Sequence, residues 1–315
     1  MKNYYIGLDI GGTKCAASLG KIADGKITID NKEQFPTGEQ SPSAILEKFS
    51  DFIKRQNKRL AGIGISCGGP LDSERGVILK PPSLPMWDGV EAVKFFEKKF
   101  DVKTYLQNDA NACAVAEWKF GAGRGAKNMA FLTFGTGFGA GLILNGKLYS
   151  GTSDDAGEIG HVRLTKFGPE GYFKKGSCEG YCSGGGISRL AKIMSENKRY
   201  EKAFKEFAAA TRNEITAKKI AEHARLGNSF CKAVYKKSGE MLGRTLSILT
   251  DVLNLERIII GGVYMRAEDL LYPTAIKVMG KETLPRPFKC VKILPAQLKE
   301  NIGDYAALSI AQGDF

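Results

Sequence analysis

No stretch of about 18 apolar residues occurs in this 315-residue chain, so no transmembrane helix is expected. The opening residues, MKNYYIGLDIGG, hold no apolar run long enough for a secretory leader, and Asp9 interrupts the one that is there. Low-complexity segments are missing. So are runs of five or more like charges, the usual mark of an interaction tail. The seven cysteines are odd in number and irregular in spacing, which points away from a disulfide framework and toward a reduced, cytoplasmic protein. The net charge of +12 is spread out, with lysine pairs at 98–99, 174–175, 218–219 and 236–237. Such scatter reads as solvated helix faces; it is compatible with a cleft that favours anions but offers no recognition helix for nucleic acid.

What is present is ordinary globular material, 43% hydrophobic and 25% charged, at a length that suggests two lobes. YYIGLDI (4–10) reads as a strand, GGTK as a glycine turn and CAASLG as a return strand, followed by a third strand in KITIDNKEQF. Ser41 and Pro42 predict a helix start, with Ile45, Phe49, Phe52 and Ile53 on one face. AGIGISCGGP is a strand running into a loop, VEAVKFFEKKF an amphipathic helix, VKTYLQND a strand, and ANACAVAEWKFGAG a helix closed at Gly121. The strand–turn–strand pattern returns at 128–149, about 124 residues after its first appearance, with a tight hairpin at Asn145-Gly146. After residue 184 helices are expected at 186–197, 199–209, 216–227 and 229–254, then strands in RIIIGGV and VKILPA and a closing helix in DYAALSIAQ. Alternating strands and helices make the class α/β. The lobe break is expected near residue 110, with residues 1–110 and 299–315 in a small lobe, 111–298 in a large one, and the ligands in a cleft between them.

Three of these strands end in glycine turns: DIGGT (9–13), GTGFG (135–139) and Gly261-Gly262. Glycine lets backbone amides approach an anion closely, so repeated turns of this kind fit a grip on nucleotide phosphates, although plain hairpins give the same pattern. Two rival phosphate motifs fail. Gly12 is followed by Thr-Lys, the reverse of a P-loop. The glycines at 135 and 137 lead into a strand, where a dinucleotide-binding fingerprint needs a helix.

The acids lie beside these turns. Asp9 ends an apolar strand, where a carboxylate is costly unless it is paired, caps a turn or sits near a metal. Asp109 follows Asn108 where a strand hands over to a helix; helix capping and general-base duty both suit it. GEIGH (157–161) supplies Glu158 and His161, and Glu179 follows in CEGYC (178–182). Asn, Asp, Glu and His together suit a polyhydroxylated ligand, because carboxylates accept strongly from paired hydroxyls. The same CEGYC stretch, with His161 upstream, also invites a metal.

GLDIGGTK, GIGISCGGPLD, NDANACAVAEWKFGAG, FLTFGTGFGAGLILNGKLYSG, AGEIGHVRL, IIIGGV and GDYAALSIA together resemble the ROK family (repressors, open reading frames, kinases) over essentially the whole chain. The resemblance implies a two-lobed, actin-like, ribonuclease-H-like sugar-kinase fold with duplicated βββαβα units, and Mg·ATP-dependent phosphorylation of a hexose or hexose derivative. By matching motif it implies Asp109 as general base. Asn108, Glu158, His161, Glu179, Gly69 and Ser83 would contact sugar, and Gly11, Gly12, Thr13, Lys14, Gly135, Thr136, Gly137, Gly261 and Gly262 the nucleotide, with Asp9 near Mg²⁺ through water. A homodimer with no nucleic-acid or membrane partner is implied too. Family repressors carry a helix-turn-helix ahead of this region, so a sugar-responsive regulator, or a sugar-binding protein without turnover, is the alternative. Two departures stand out. Many members bind zinc through three cysteines and the histidine of this loop; here those cysteine positions fall on Glu170, Tyr172 and Ser177, so no zinc is expected, and packing by Tyr172 and Phe173 is expected to hold the loop in its place. Ser83 stands where members often have a sugar-contacting Asn, which removes any presumption of glucose specificity.

Overall fold

A computed structural model describes residues 4–315. The chain opens with strands β1 (Tyr4–Ile10), β2 (Lys14–Ala23) and β3 (Lys26–Pro36), followed by helix α1 (Pro42–Gln56) and strand β4 (Leu60–Cys67). The Ser41 hydroxyl accepts from Ala44 N at 3.3 Å and caps α1, and the four predicted apolar residues of that helix are buried. Short strands β5 (Leu71–Asp72), β6 (Val77–Leu79) and β7 (Asp88–Val90) form a small separate sheet. Next come α2 (Ala92–Phe100), β8 (Thr104–Asn108) and α3 (Asp109–Phe120), the last ending at Gly121 as its sequence predicts. The first large sheet has the order β3-β2-β1-β4-β8, antiparallel on its β2 and β3 side and parallel from β1 to β8.

The second half runs β9 (Met129–Phe134), β10 (Phe138–Leu144), β11 (Lys147–Leu148), β12 (Glu170–Gly171), β13 (Lys174–Lys175), α4 (Cys178–Tyr181), α5 (Gly184–Ser195), α6 (Glu201–Thr211), α7 (Ala217–Arg225), α8 (Ser229–Leu253), β14 (Arg257–Ile260), α9 (Val263–Glu282), α10 (Pro285–Cys290), β15 (Lys292–Pro295) and α11 (Ile302–Ile310). The second sheet has the order β11-β10-β9-β14-β15. Asn145 and Gly146 both adopt positive φ in the predicted hairpin. Each of the four helices expected after residue 184 is present within about two residues of its expected bounds. The 20-residue α9 was not legible in the sequence. Pro273 lies inside it and Ala267 breaks its backbone geometry (φ −137°, ψ 22°), and both interrupt a helical pattern.

The described residues divide into two compact units. The first holds residues up to Lys127, Gly141–Ala156 and Gln297–Phe315; the second holds Asn128–Ala140 and Gly157–Ala296. The first break thus falls after Lys127, where the sequence reading put it near 110. In the first unit α11 lies against α3, β1 and β4. It comes so close that a Cβ on Gly64 would sit 2.1 Å from the Ala307 carbonyl oxygen, so only glycine fits there. The core of this unit joins Ile6, Leu8 and Ile10 of β1, Ile63 and Ile65 of β4, Phe49 and Phe52 of α1, and Phe96 of α2, all essentially without solvent exposure. In the second unit α8 packs along α9 and receives α4, α5, α6 and α7 on its flanks. No described helix is long and apolar enough to cross a membrane.

Candidate active site

In the first unit the candidate residues gather where the parallel strands end. β1 and β8 flank β4 on either side, with Ile10 opposite Cys67 and Cys67 opposite Asn108. Asp9 and Asp109 therefore lie at the carboxyl ends of strands two spacings apart, roughly 10 Å across the sheet, the end at which open α/β sheets hold ligands. Asn108 is the cap of α3. Its Oδ1 accepts from Ala110 N at 2.9 Å, and Asp109 is the first helical residue, its own Oδ1 accepting from the same N–H at 2.7 Å. Capping is thus carried by Asn108 as well, and Asp109 is not confined to it.

Asp109 keeps a solvent-facing side, while protein crowds it elsewhere. That loss of water raises its carboxyl above the ordinary range, opposed by the N–H bonds it accepts. Asp9 is raised to about 7, first by burial and then by the negative charges of Asp109 and Asp304, with Lys14 and Lys32 pulling the other way. Gly11, Gly12, Thr13 and Lys14 form the turn from β1 into β2, where Gly11 N donates to the Lys14 carbonyl at 3.2 Å. Ser83 packs on this turn: a Cβ on Gly12 would meet the Ser83 Cβ at 2.6 Å. Gly69 adjoins the Asn108 amide, 3.1 Å from where its own Cβ would stand.

The sequence reading missed Asp304 and Lys32. Asp304, in the first turn of α11 and only 6% exposed, accepts from the Ser18 hydroxyl at 3.1 Å and from Lys32 at 2.5 Å. The signal was available: a carboxylate heading the apolar helix segment DYAALSIA needs a buried partner.

The second unit holds the remaining candidates. Gly135, Thr136 and Gly137 turn β9 into β10, closed by a bond from Gly135 N to the Gly137 carbonyl at 3.0 Å. Gly262, the cap of α9, has φ +69° and lies against the end of β9, where a Cβ would meet the Phe134 carbonyl oxygen at 2.2 Å. Gly261 donates to the Leu132 carbonyl at 3.0 Å. The turn after β9 and the N-terminus of α9 are therefore neighbours, and α9 has no side-chain cap to occupy its first amides. Glu179, in the single turn of α4, sits on this glycine turn. Its Oε2 accepts from Phe138 N at 3.1 Å and lies 2.9 Å from where a Gly137 Cβ would be. Glu158 precedes the turn Ile159–His161; both Glu158 and His161 are exposed, and the His161 ring meets Tyr172 edge-on at 5.9 Å.

CEGYC turns its thiols away from His161. Thr245 donates to Cys178 Sγ at 3.3 Å and Cys182 Sγ donates to the Ser238 carbonyl at 3.9 Å, both partners lying on α8. Burial holds the Cys178 thiol up at about 11 and Cys182 well above its usual value, so neither gives a ready thiolate. With Glu170 and Tyr172 in the β12–β13 hairpin and Ser177 capping α4, the donors around His161 do not fit zinc. Hydrogen bonds hold this loop: Ser177 Oγ donates to the Gly171 carbonyl at 3.2 Å, and the Tyr181 hydroxyl meets Thr165 Oγ1 at 2.9 Å and donates to the Phe167 carbonyl at 3.2 Å. The expected aromatic packing is also there, as Tyr172 touches both His161 and Phe173, but at the surface, with Phe173 89% exposed.

The ROK family pattern matches residues 5–314. The chain belongs to the ROK family. Among ROK relatives it is 28% identical to a glucokinase of Thermotoga maritima, over 97% of this chain and 96% of that one. It is 31% identical to a glucokinase of Halalkalibacterium halodurans, over 90% and 87%. A xylose repressor of Caldicellulosiruptor bescii is 26% identical over 94% of this chain and 74% of that protein. In structure the chain is similar to the ROK glucokinase of Streptomyces griseus in complex with glucose and AMPPNP, with TM-score 0.77, 26% identity and coverage of 99% and 100%. The ROK hexokinase of Thermus thermophilus matches with TM-score 0.79, 25% identity and 97% coverage of each chain. This ROK protein therefore has the mixed α/β, actin-like sugar-kinase fold.

Proposed function

We propose that this ROK protein is an ATP-dependent sugar kinase that transfers the γ-phosphoryl group to a hydroxyl of a hexose or hexose derivative, with Asp109 as general base. The observation that carries the reading is the placement of Asp109: at the carboxyl end of the sheet, first in its helix, open to solvent on one side and raised in pKa by its surroundings. Phosphoryl transfer asks for alignment, charge neutralisation and one acceptor for the hydroxyl proton. Glu158, His161 and Glu179 with Asn108, Gly69 and Ser83 form the sugar-holding set. The turn at 135–137 and the open N-terminus of α9 offer amides and a helix dipole to phosphates, and the Gly11–Lys14 turn adds a cation. Asp9 is a hard oxygen donor suited to Mg²⁺ through water, and the ion would supply charge neutralisation. The glucokinase relatives and the glucose and AMPPNP of the Streptomyces griseus structure support the same substrates. A cytoplasmic setting and a homodimer belong to this proposal.

A sugar-responsive regulator is the second reading, favoured by the match to the xylose repressor. One panel separates the two: ATP consumption with glucose, mannose, fructose, allose, N-acetylated hexosamines and β-glucosides. The kinase reading requires at least one sugar to be phosphorylated stoichiometrically with ADP release; sugar binding without turnover across the panel would reject it in favour of the regulator.

A further inference from the structure

A groove of about 910 Å³ lies wholly within the second unit, among α5, α8 and the loop before β12, and none of its lining residues belongs to the candidate active site. Its volume is in the range that takes a small organic ligand. The base is apolar: Tyr181 and Leu190, each 3% exposed, with Ala233 of α8 beside them. Phe167 and Ile193 stand at the edge, 75% and 45% exposed, where burial against a ligand would remove apolar surface from water.

The rim is cationic. Lys232 and Lys236 lie one helical turn apart on α8, exposed, and neither has an ion-pair partner among the described residues. Like charges four residues apart on a helix repel, with Cβ atoms about 6 Å from each other. Lys237 is already held by Glu240 at 3.2 Å, and Arg199 lies over the Tyr200 ring at 4.3 Å. Glu240 is the only acid lining the groove among the described residues. A ligand with an anionic head would relieve the Lys232–Lys236 repulsion while its tail covered the apolar base.

We infer that this groove is a binding site for a small amphipathic organic acid, with its tail over Leu190 and Ala233 and its anionic head at Lys232 and Lys236. The site is independent of the phosphotransfer reading.

Isothermal titration of the full chain with three probes tests it: decanoate, decan-1-ol, which has the same tail without charge, and acetate, which has the head without the tail. Decanoate is expected to bind once per chain, about tenfold more tightly than decanol, with a preference that shrinks as salt rises, and acetate not to bind detectably. The exposed double change Lys232→Gln with Lys236→Gln is expected to abolish the preference and leave decanol binding as it was. Ala233→Glu is expected to block both long-chain probes without changing the oligomeric state. Equal binding of decanoate and decanol, or a preference that survives the double change, overturns the inference. So does a dimer that Ala233→Glu splits, since that outcome assigns the groove to a second copy of the chain.

Discussion

Asp9 and Asp109 stand at the ends of parallel strands in a five-stranded sheet, fixed by a ladder that runs from β1 through β4 to β8. Glu158, His161 and Glu179 sit between residues 157 and 182, where regular structure amounts to one 3₁₀ turn, two two-residue strands and a four-residue helix. Asp9 lies in the ladder itself and Asp109 follows its last paired residue, and the loss of water on their crowded sides raises both carboxyls. In the second set Glu179 is held by its bond from Phe138 N and its close approach to Gly137, and His161 by its ring contact with Tyr172. A proton acceptor in phosphotransfer needs a fixed position and a tuned pKa, which the carboxyl end of a parallel sheet supplies. A set that discriminates among sugars gains from a loop whose sequence can change without disturbing a core.

The largest effect that tests this contrast is at Asp109. Asp109→Ala is expected to cut kcat by about a thousandfold with sugar affinity nearly unchanged, measured by coupled ATP consumption and by direct sugar titration. Near-normal turnover would remove Asp109 from the chemistry. Glu179→Ala is expected to raise the sugar KM by about tenfold with a smaller loss in kcat, because it removes the proposed hydroxyl acceptor together with the brace on Phe138 N. A change confined to the KM for ATP would reassign Glu179 to the nucleotide turn it touches.

The third effect is a pH dependence. The folded chain holds a proton on Asp9 up to about pH 7, whereas the unfolded chain releases it near the ordinary value of 3.8. Between those values the folded state binds more protons, so the Asp9 contribution to ligand-free stability is greatest at or below about pH 4 and is lost as pH rises to about 7, then stays level. Asp9→Asn is expected to flatten that slope and raise the Tm at pH 8 by a few degrees. An unchanged slope in thermal unfolding across this window would show that Asp9 is ionised throughout.

The smallest effect lies in the loop. Tyr172 and Phe173 occupy the β12–β13 turn with φ of 42° and 61°, a conformation that favours Asn and Gly. Tyr172→Asn with Phe173→Gly is expected to stabilise the chain by about 1 kcal/mol in denaturant unfolding, through relief of backbone strain. A loss of stability would instead make the Tyr172 contact with His161 the stronger of the two terms.

Much of this was readable one residue at a time. The strand–turn–strand units, the cap of α1, the hairpin at Asn145-Gly146 and the α/β class follow from local rules: apolar periodicity, capping side chains and positive-φ residues act over a few positions. The helix with Pro273 in its interior escaped those rules because its stability comes from packing on α8.

The sequence by itself determined which acids and glycines are available, and it determined that the loop after His161 lacks the cysteines for zinc. Only the tertiary structure decided how they are used. It gave capping to Asn108 as well as Asp109, turned Cys178 and Cys182 onto α8, joined Asp304 to Lys32 across 272 residues of chain, and set Glu179 on a glycine turn 41 residues before it. Burial and long-range pairing are properties of the folded whole, and no local window contains the partners that set them.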